Sequence, residues 1–166
     1  MNNIYSFLRI SFSLCMLFAV LVACEKKGDE QQDVLLDDNL LRSETAYQKV
    51  LNSRQTGENA AFAIQEVKRQ DDSLFIRVLG GCSEESYKII WNGAIAESHP
   101  GQVYLALTHE PAHDICQPSA EFLLKINLRK IIGKAGSPED FIFHLANGSL
   151  KQNKSLYPDG TVSSEE

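Results

Sequence analysis

Four short apolar runs in the middle of the chain decide its fold. They read S-L-F-I-R-V-L-G-G-C at 73–82, S-Y-K-I-I-W-N-G at 86–93, Q-V-Y-L-A-L-T-H at 102–109 and A-E-F-L-L-K-I-N-L-R-K at 120–130. Apolar residues alternate with others along these runs, which is typical of β-strands that bury one face. The stretch therefore predicts the core of a small β domain.

Turn signals separate these runs and extend the pattern on both sides. Asp71-Asp72-Ser73 predicts the turn of one hairpin, and Asn92-Gly93 predicts a two-residue turn of another. Further strand-like segments lie at 61–67, 140–145 and 149–157. Six or seven short strands over roughly 100 residues, with no convincing long helix, predict an all-β, antiparallel β-sandwich.

The layout also resembles an immunoglobulin-like sandwich, because Trp91 would lie near a pair of cysteines, Cys82 and Cys116. The spacing of these residues does not reproduce the cysteine–tryptophan–cysteine pattern of that family. The resemblance therefore implies the architecture and not membership of the family.

Composition limits the function classes. With 166 residues, the chain has room for one domain and appendages. A hydrophobic content of 43% and a charged content of 23% are ordinary for a globular protein. The formal net charge of -6 disfavours nucleic acid as a partner, because no basic surplus is present to neutralise phosphates.

The N-terminal segment has the features of an export signal. Arg9 is its one charge, and an apolar run that is short for a membrane span follows. The run ends in Leu21-Val22-Ala23-Cys24, which resembles the lipobox of bacterial lipoprotein signal peptides. An ordinary secretory signal or an uncleaved membrane anchor are the alternatives, and two serines interrupting the run disfavour the anchor.

The lipobox resemblance implies that the Cys24 thiol receives diacylglycerol, that the bond before it is cut, and that the new amino terminus is acylated, for example with palmitate. Two or three acyl chains hold a protein stably on a membrane. The expected partner is membrane lipid, and the expected location is the bacterial cell envelope, at the outer membrane or a periplasmic face.

The four cysteines then divide by role. Cys15 would leave with the signal and Cys24 would carry lipid, which leaves Cys82 and Cys116 in an oxidising compartment. A disulfide between them is the expectation, with free thiols or a metal site as alternatives. It would close a loop of about 35 residues and stabilise the fold by about 3–4 kcal/mol.

Four regions follow from these features. They are a signal peptide at 1–23, the lipidated cysteine and a tether at 24–56, the β-sandwich at 57–157 and an acidic tail at 158–166. Within the tether, residues 40–54 predict a short helix or coil, with Ser43 as its N-cap.

One pentapeptide, His109-Glu110-Pro111-Ala112-His113, spells the H-E-x-x-H motif of zinc metalloproteases. In those enzymes the motif lies on a helix, where two histidines bind zinc and the glutamate is the general base. Pro111 disfavours a helix here, and the residues before His109 alternate as a strand. We therefore expect a loop that matches the motif by coincidence.

A weaker metal hypothesis uses His109, His113, Asp114 and Cys116, with Cys82 as a further ligand, to hold zinc. Pairing of the two thiols would remove its best ligands. Of the remaining histidines, His99 is expected at the surface, and His144 is expected to face solvent or to be half-buried with its hydrogen bonds satisfied. No cofactor is expected.

The run G-G-C-x(4)-Y-x-I-x-W, followed by V-x-L-x-L-x-H and D-x-C, resembles small bacterial lipoproteins of unknown function. The expected function is a non-enzymatic binding or accessory module of the envelope, with an envelope protein as a candidate partner. The alternatives are a metal-binding protein or small metalloenzyme that uses the 109–116 loop, and an inhibitor-like module that presents this loop to an enzyme.

Overall fold

The computed structural model describes residues 33–56, 61–110, 120–150 and 152–165. The strands in these residues are β1 (Val34–Asp37), β2 (Leu40–Arg42), β3 (Ala63–Gln70), β4 (Ser73–Leu79), β5 (Tyr87–Ala96), β6 (Gly101–His109), β7 (Glu121–Asn127), β8 (Phe141–Asn147), β9 (Asn153–Leu156) and β10 (Val162–Glu165). The helices are α1 (Glu44–Thr56) and α2 (Arg129–Ile132), and 3₁₀ turns occupy Glu84–Ser86 and Pro138–Asp140.

The strands form two sheets, which confirms the prediction of a β fold. The larger sheet has the order β1-β2-β5-β6-β8-β9-β10, and the smaller has the order β3-β4-β7. The predicted fully antiparallel arrangement is wrong at two places, because β2 pairs with β5 and β6 pairs with β8 in parallel. Side-chain alternation is the same for both directions of pairing, so the sequence pattern could not distinguish them.

The main core lies between the two sheets. One face of β4 contributes Leu74, Ile76 and Val78, and the facing surface of the larger sheet contributes residues such as Leu105 and Phe143, all at most 1% exposed. Burial of each such side chain stabilises the fold by about 1.5–3 kcal/mol. This alternating burial is the feature that the four apolar runs predicted.

Helix α1 covers the opposite face of the larger sheet. Tyr47 and Val50 pack there in a second cluster with Ile90, Ala106 and Ala146. The two alanines allow the helix to approach the sheet closely.

The helix begins as predicted. The Ser43 hydroxyl accepts a hydrogen bond from the Ala46 N–H at 3.0 Å, which is the expected N-cap contact.

The predicted domain boundaries are too narrow at both ends. Residues 34–56, assigned to a tether, supply β1, β2 and α1 to the folded unit, and the predicted acidic tail contains β10, which pairs with β9. These strands have three or four residues each. Such short strands show too few alternations to be recognised, which is also why the predicted count of six or seven strands was too low.

The two predicted turns have different outcomes. Asp71 adopts a positive φ of 51° between β3 and β4, so the first hairpin is confirmed. Asn92-Gly93 does not form a turn, because β5 continues through it to Ala96. The pairing register shifts between Trp91 and Ile95, and Gly93 has a φ of 88°. A β-bulge needs the same backbone freedom as a tight turn, which explains the wrong prediction.

A buried amide joins the two sheets. Asn147, fully buried at the end of β8, donates from Nδ2 to the Phe62 carbonyl oxygen at 3.0 Å, just before β3. Its Oδ1 accepts from the backbone N–H groups of Ser149 at 2.8 Å and Leu150 at 3.2 Å. The Asn147 side chain therefore hydrogen-bonds to backbone groups in two segments, one that precedes β3 of the smaller sheet and one that follows β8 of the larger sheet.

Replacement of Asn147 by alanine should lower the free energy of unfolding by about 2–4 kcal/mol, because backbone donors and a carbonyl would lose their buried partner. Chemical denaturation monitored by circular dichroism measures this change. The control is Asn52→Ala, at an exposed position of α1, where a change of about 0.5 kcal/mol or less is expected. Equal unfolding midpoints for the two variants would contradict this role of Asn147.

Candidate functional site

Two cross-strand rows of side chains lie on the face of the larger sheet that carries α1. The first row runs across the strands through Leu41, Ile90, Ala106, Ala146, Asn153 and Glu165. The second row contains Tyr104, His144, Ser155 and Ser163. The first row is apolar where α1 covers it and polar beyond the helix. A cavity of about 170 Å³ lies between the C-terminal half of α1 and these polar positions.

His144 is at the centre of the second row and has both ring nitrogens engaged. Its ring stacks on Tyr104, with centroids 4.8 Å apart. Nδ1 lies 2.9 Å from the Ser155 hydroxyl, and Nε2 lies 3.2 Å from Gln102 Oε1. The Gln102 amide nitrogen donates to Ser98, so its oxygen faces the histidine. Nε2 therefore carries the proton, and Nδ1 accepts a hydrogen bond from Ser155.

Burial lowers the pKa of His144, and nearby Glu165 acts in the opposite direction. The ring is consequently neutral at neutral pH. The expectation of a half-buried, satisfied histidine at this position is confirmed.

The charged groups of the cavity come from α1 and β10. Arg54, in the last turn of α1, donates from Nη1 to Asn153 Oδ1 at 2.8 Å. Among the described residues, no carboxylate lies within 4.0 Å of Arg54 and no cationic nitrogen within 4.0 Å of Glu165. Burial raises the pKa of Tyr47, and Glu44 adds to this, so its phenol stays protonated.

The chain of Gln102, His144 and Ser155 has the order of a catalytic serine relay, but its setting does not suit acyl transfer. Ser155 is only 3% exposed and lies within β9, which is paired on both sides. In the described part of the chain, the backbone N–H groups around Ser155 belong to this ladder and do not form an oxyanion hole. Within the described residues, Ser155 therefore has neither the access nor the oxyanion donors that acyl transfer requires.

A second polar cluster surrounds the end of β6. His109, 3% exposed, accepts at Nε2 a hydrogen bond from the Cys82 N–H at 3.2 Å. The Tyr87 hydroxyl donates to the Gly80 carbonyl oxygen at 2.7 Å, and its ring lies 4.8 Å from His109. Gly81 has a φ of 87°, and a Cβ there would lie 2.6 Å from the Tyr87 hydroxyl oxygen. Position 81 therefore requires glycine, because of its positive φ and because a Cβ would clash with the Tyr87 hydroxyl.

The surroundings of His109 and Glu110 show whether the first half of the H-E-x-x-H motif lies on a helix. His109 belongs to a strand, and the Glu110 N–H donates to the Ser86 carbonyl oxygen across the sheet, so these two residues do not start a helix. Nε2 of His109 is occupied, and Nδ1 has no hydrogen-bond partner among the described residues. His113 lies outside the described residues.

The predicted ligands and cysteines are only partly described. No group of three candidate metal ligands occurs within residues 33–56, 61–110, 120–150 and 152–165. Cys82 is disulfide-bonded. Asp114 and Cys116 lie outside the described residues, as does Cys24, so the pairing of Cys82 with Cys116 and the lipidation of Cys24 stay predictions. His99 is exposed, as expected.

The cavity residues Arg54, Tyr104 and Ser155 were not identified from the sequence, nor was Gln102, a hydrogen-bond partner of His144. Polar residues at outward-facing strand positions could have indicated this site, but residues at such positions usually face solvent. Only the pairing of β6 with β8 and of β8 with β9 brings Tyr104 and Ser155 to His144, and the packing of α1 on the sheet adds Arg54.

Comparisons with protein-family models, with curated proteins and with solved structures give no match. In the described part of the chain, no helix is long and apolar enough to span a membrane.

The buried His109 and the half-buried His144 predict a loss of stability in mild acid. Burial lowers the pKa of His109 and of His144 below the ordinary value of 6.5. As pH falls through 6.5, the unfolded chain takes up protons that the folded chain does not. The free energy of unfolding should therefore be greater at pH 7.5 than at pH 5.5, measured by denaturation across this range.

Two sets of variants test this cause. The double variant His109→Gln, His144→Gln should flatten the pH dependence, whereas His99→Gln, at an exposed site, should retain it. The quantity compared is the slope of the free energy of unfolding against pH. A loss of stability that is equal at every pH does not change this slope. An unchanged slope in the double variant would show that other groups cause the effect.

The predicted disulfide has a direct chemical test. Digestion of protein exported to the periplasm should yield one linked peptide pair containing Cys82 and Cys116, and reduction should add two hydrogens. Reduction should lower the free energy of unfolding by about 3–4 kcal/mol. The double variant Cys82→Ser, Cys116→Ser is the control, because its stability should not respond to reductant. Alkylation of both cysteines without prior reduction would exclude the bond.

Proposed function

We propose that this chain is a lipid-anchored protein of the bacterial cell envelope, whose β domain acts as a non-catalytic binding module for a small ligand. The observation that carries the anchor is Leu21-Val22-Ala23-Cys24 at the end of a short apolar run. Acylated Cys24 would hold the domain at the outer membrane or at a periplasmic face. The Cys82–Cys116 disulfide belongs to this proposal, because these compartments are oxidising.

The position of β1 sets how far the domain lies from the lipid. β1 begins at Val34, so a segment of about ten residues follows Cys24 before the fold starts. Fully extended, such a segment reaches about 35 Å at most. The domain would therefore stay close to the membrane surface, with a much shorter tether than the sequence pattern predicted.

The cavity beside α1 supports the binding part of the proposal. It combines an arginine that lacks a carboxylate partner within the described residues, a neutral histidine and two tyrosines, which are groups that orient a ligand in a concave site. The occupied Nε2 of His109 counts against the alternative of a metal protein built on the 109–116 loop. An immunoglobulin-like sandwich architecture stays a prediction, supported by the two facing sheets and the buried Trp91.

Replacement of Cys24 by alanine should abolish labelling with radioactive palmitate and release the protein from the membrane fraction, because the acceptor thiol is lost. The measurement is labelling in intact cells followed by membrane fractionation. Cys15→Ala is the matched control, because Cys15 lies within the predicted signal and should not be acylated in the mature protein. Continued labelling of the Cys24→Ala variant would exclude the proposed anchor.

A further inference from the structure

We propose that the cavity beside α1 binds a small zwitterion of the size of an α-amino acid, with its carboxylate on Arg54 and its ammonium group on Glu165. This inference rests on the proposed function as a binding module and names the class of ligand.

Arg54 supplies the site for the carboxylate. Its guanidinium has five N–H donors, and Nη1 is held by Asn153 Oδ1 at 2.8 Å, which orients the group. No carboxylate in the described residues lies within 4.0 Å of it. The planar fork of donors matches the two oxygens of a carboxylate, so a ligand of this chemistry completes the partners of Arg54.

Glu165 makes the site unsuitable for a simple anion. It is the register partner of Asn153 on β10 and lines the same cavity as Arg54. The two opposite charges thus flank Asn153 without forming an ion pair within 4.0 Å. A simple anion at Arg54 would be repelled by Glu165, whereas a ligand with both charges can interact with each residue.

The remaining walls limit the size and polarity of the ligand. A volume of about 170 Å³ accommodates roughly five or six water-sized groups, at about 30 Å³ each. Tyr47, Leu51 and Tyr104 provide aromatic and apolar surface for a small side chain. The rotation of His144 is restricted by its hydrogen bonds to Ser155 and Gln102, so the floor of the cavity is preorganised.

Calorimetric titration of the full-length acylated protein in detergent micelles tests the ligand class with three probes. L-alanine carries both charges, propionate lacks the ammonium group and ethylamine lacks the carboxylate. We expect L-alanine to bind at least tenfold more tightly than either analogue. Equal binding of propionate and L-alanine, or no binding of L-alanine, would overturn the inference.

Variants at the two charged residues test whether each of them contacts the ligand. Arg54→Gln and Glu165→Gln should each weaken binding of L-alanine by roughly tenfold to a hundredfold, because each removes a charge-assisted hydrogen bond. Lys49→Gln removes an exposed charge from the same helix, outside this cavity, and should leave the affinity unchanged. Retained affinity in Arg54→Gln, with folding verified by circular dichroism, would also overturn the inference.

The proposed zwitterion site and the proposed lipid anchor can be disproved independently of each other. If Cys24 is acylated and L-alanine does not bind, the zwitterion site is wrong and the anchored location stands. If L-alanine binds a protein that carries no lipid, the site stands and the anchor is wrong.

Discussion

The parallel ladder between β6 and β8 is the interaction on which the domain depends. It places Leu105 beside Leu145 on the face that packs on the smaller sheet, and Ala106 beside Ala146 on the face under α1. Both faces of these central strands are thereby buried, as expected for strands covered on each side. The three layers of helix, larger sheet and smaller sheet follow from this ladder.

The same ladder creates the polar site where the helix ends. Two residues from the alanine pair, Tyr104 lies beside His144, and β9 adds Ser155 to the row. Helix α1 covers most of the first row and leaves part of the second row beside a cavity. Side chains on this face therefore change from apolar to polar between neighbouring positions of the sheet. The cavity is therefore a consequence of how far the helix reaches over the sheet.

Buried polar groups elsewhere have a structural role. Asn147 connects β8 to the segment before β3, and His109, on the neighbouring strand, accepts the backbone N–H of Cys82 at a corner on the same edge of the sheet. Each hydrogen-bonds to a chain segment just before or just after a strand. Burial in these positions favours the neutral imidazole of His109, so the cost of protonating it is linked to the stability of that corner.

The sequence by itself determined the β character, the buried faces of β4, β6 and β7, the hairpin at Asp71 and the capping of α1 by Ser43. These features depend on neighbours within a few residues, where side-chain alternation and turn chemistry act directly. The tertiary structure alone decided the parallel direction of two pairings, the inclusion of β1, β2 and β10, and the continuation of β5 through Asn92-Gly93. It also decided the meeting of Arg54, His144 and Ser155 at one cavity, because these contacts join residues distant in the chain, and strand register leaves no local trace in sequence.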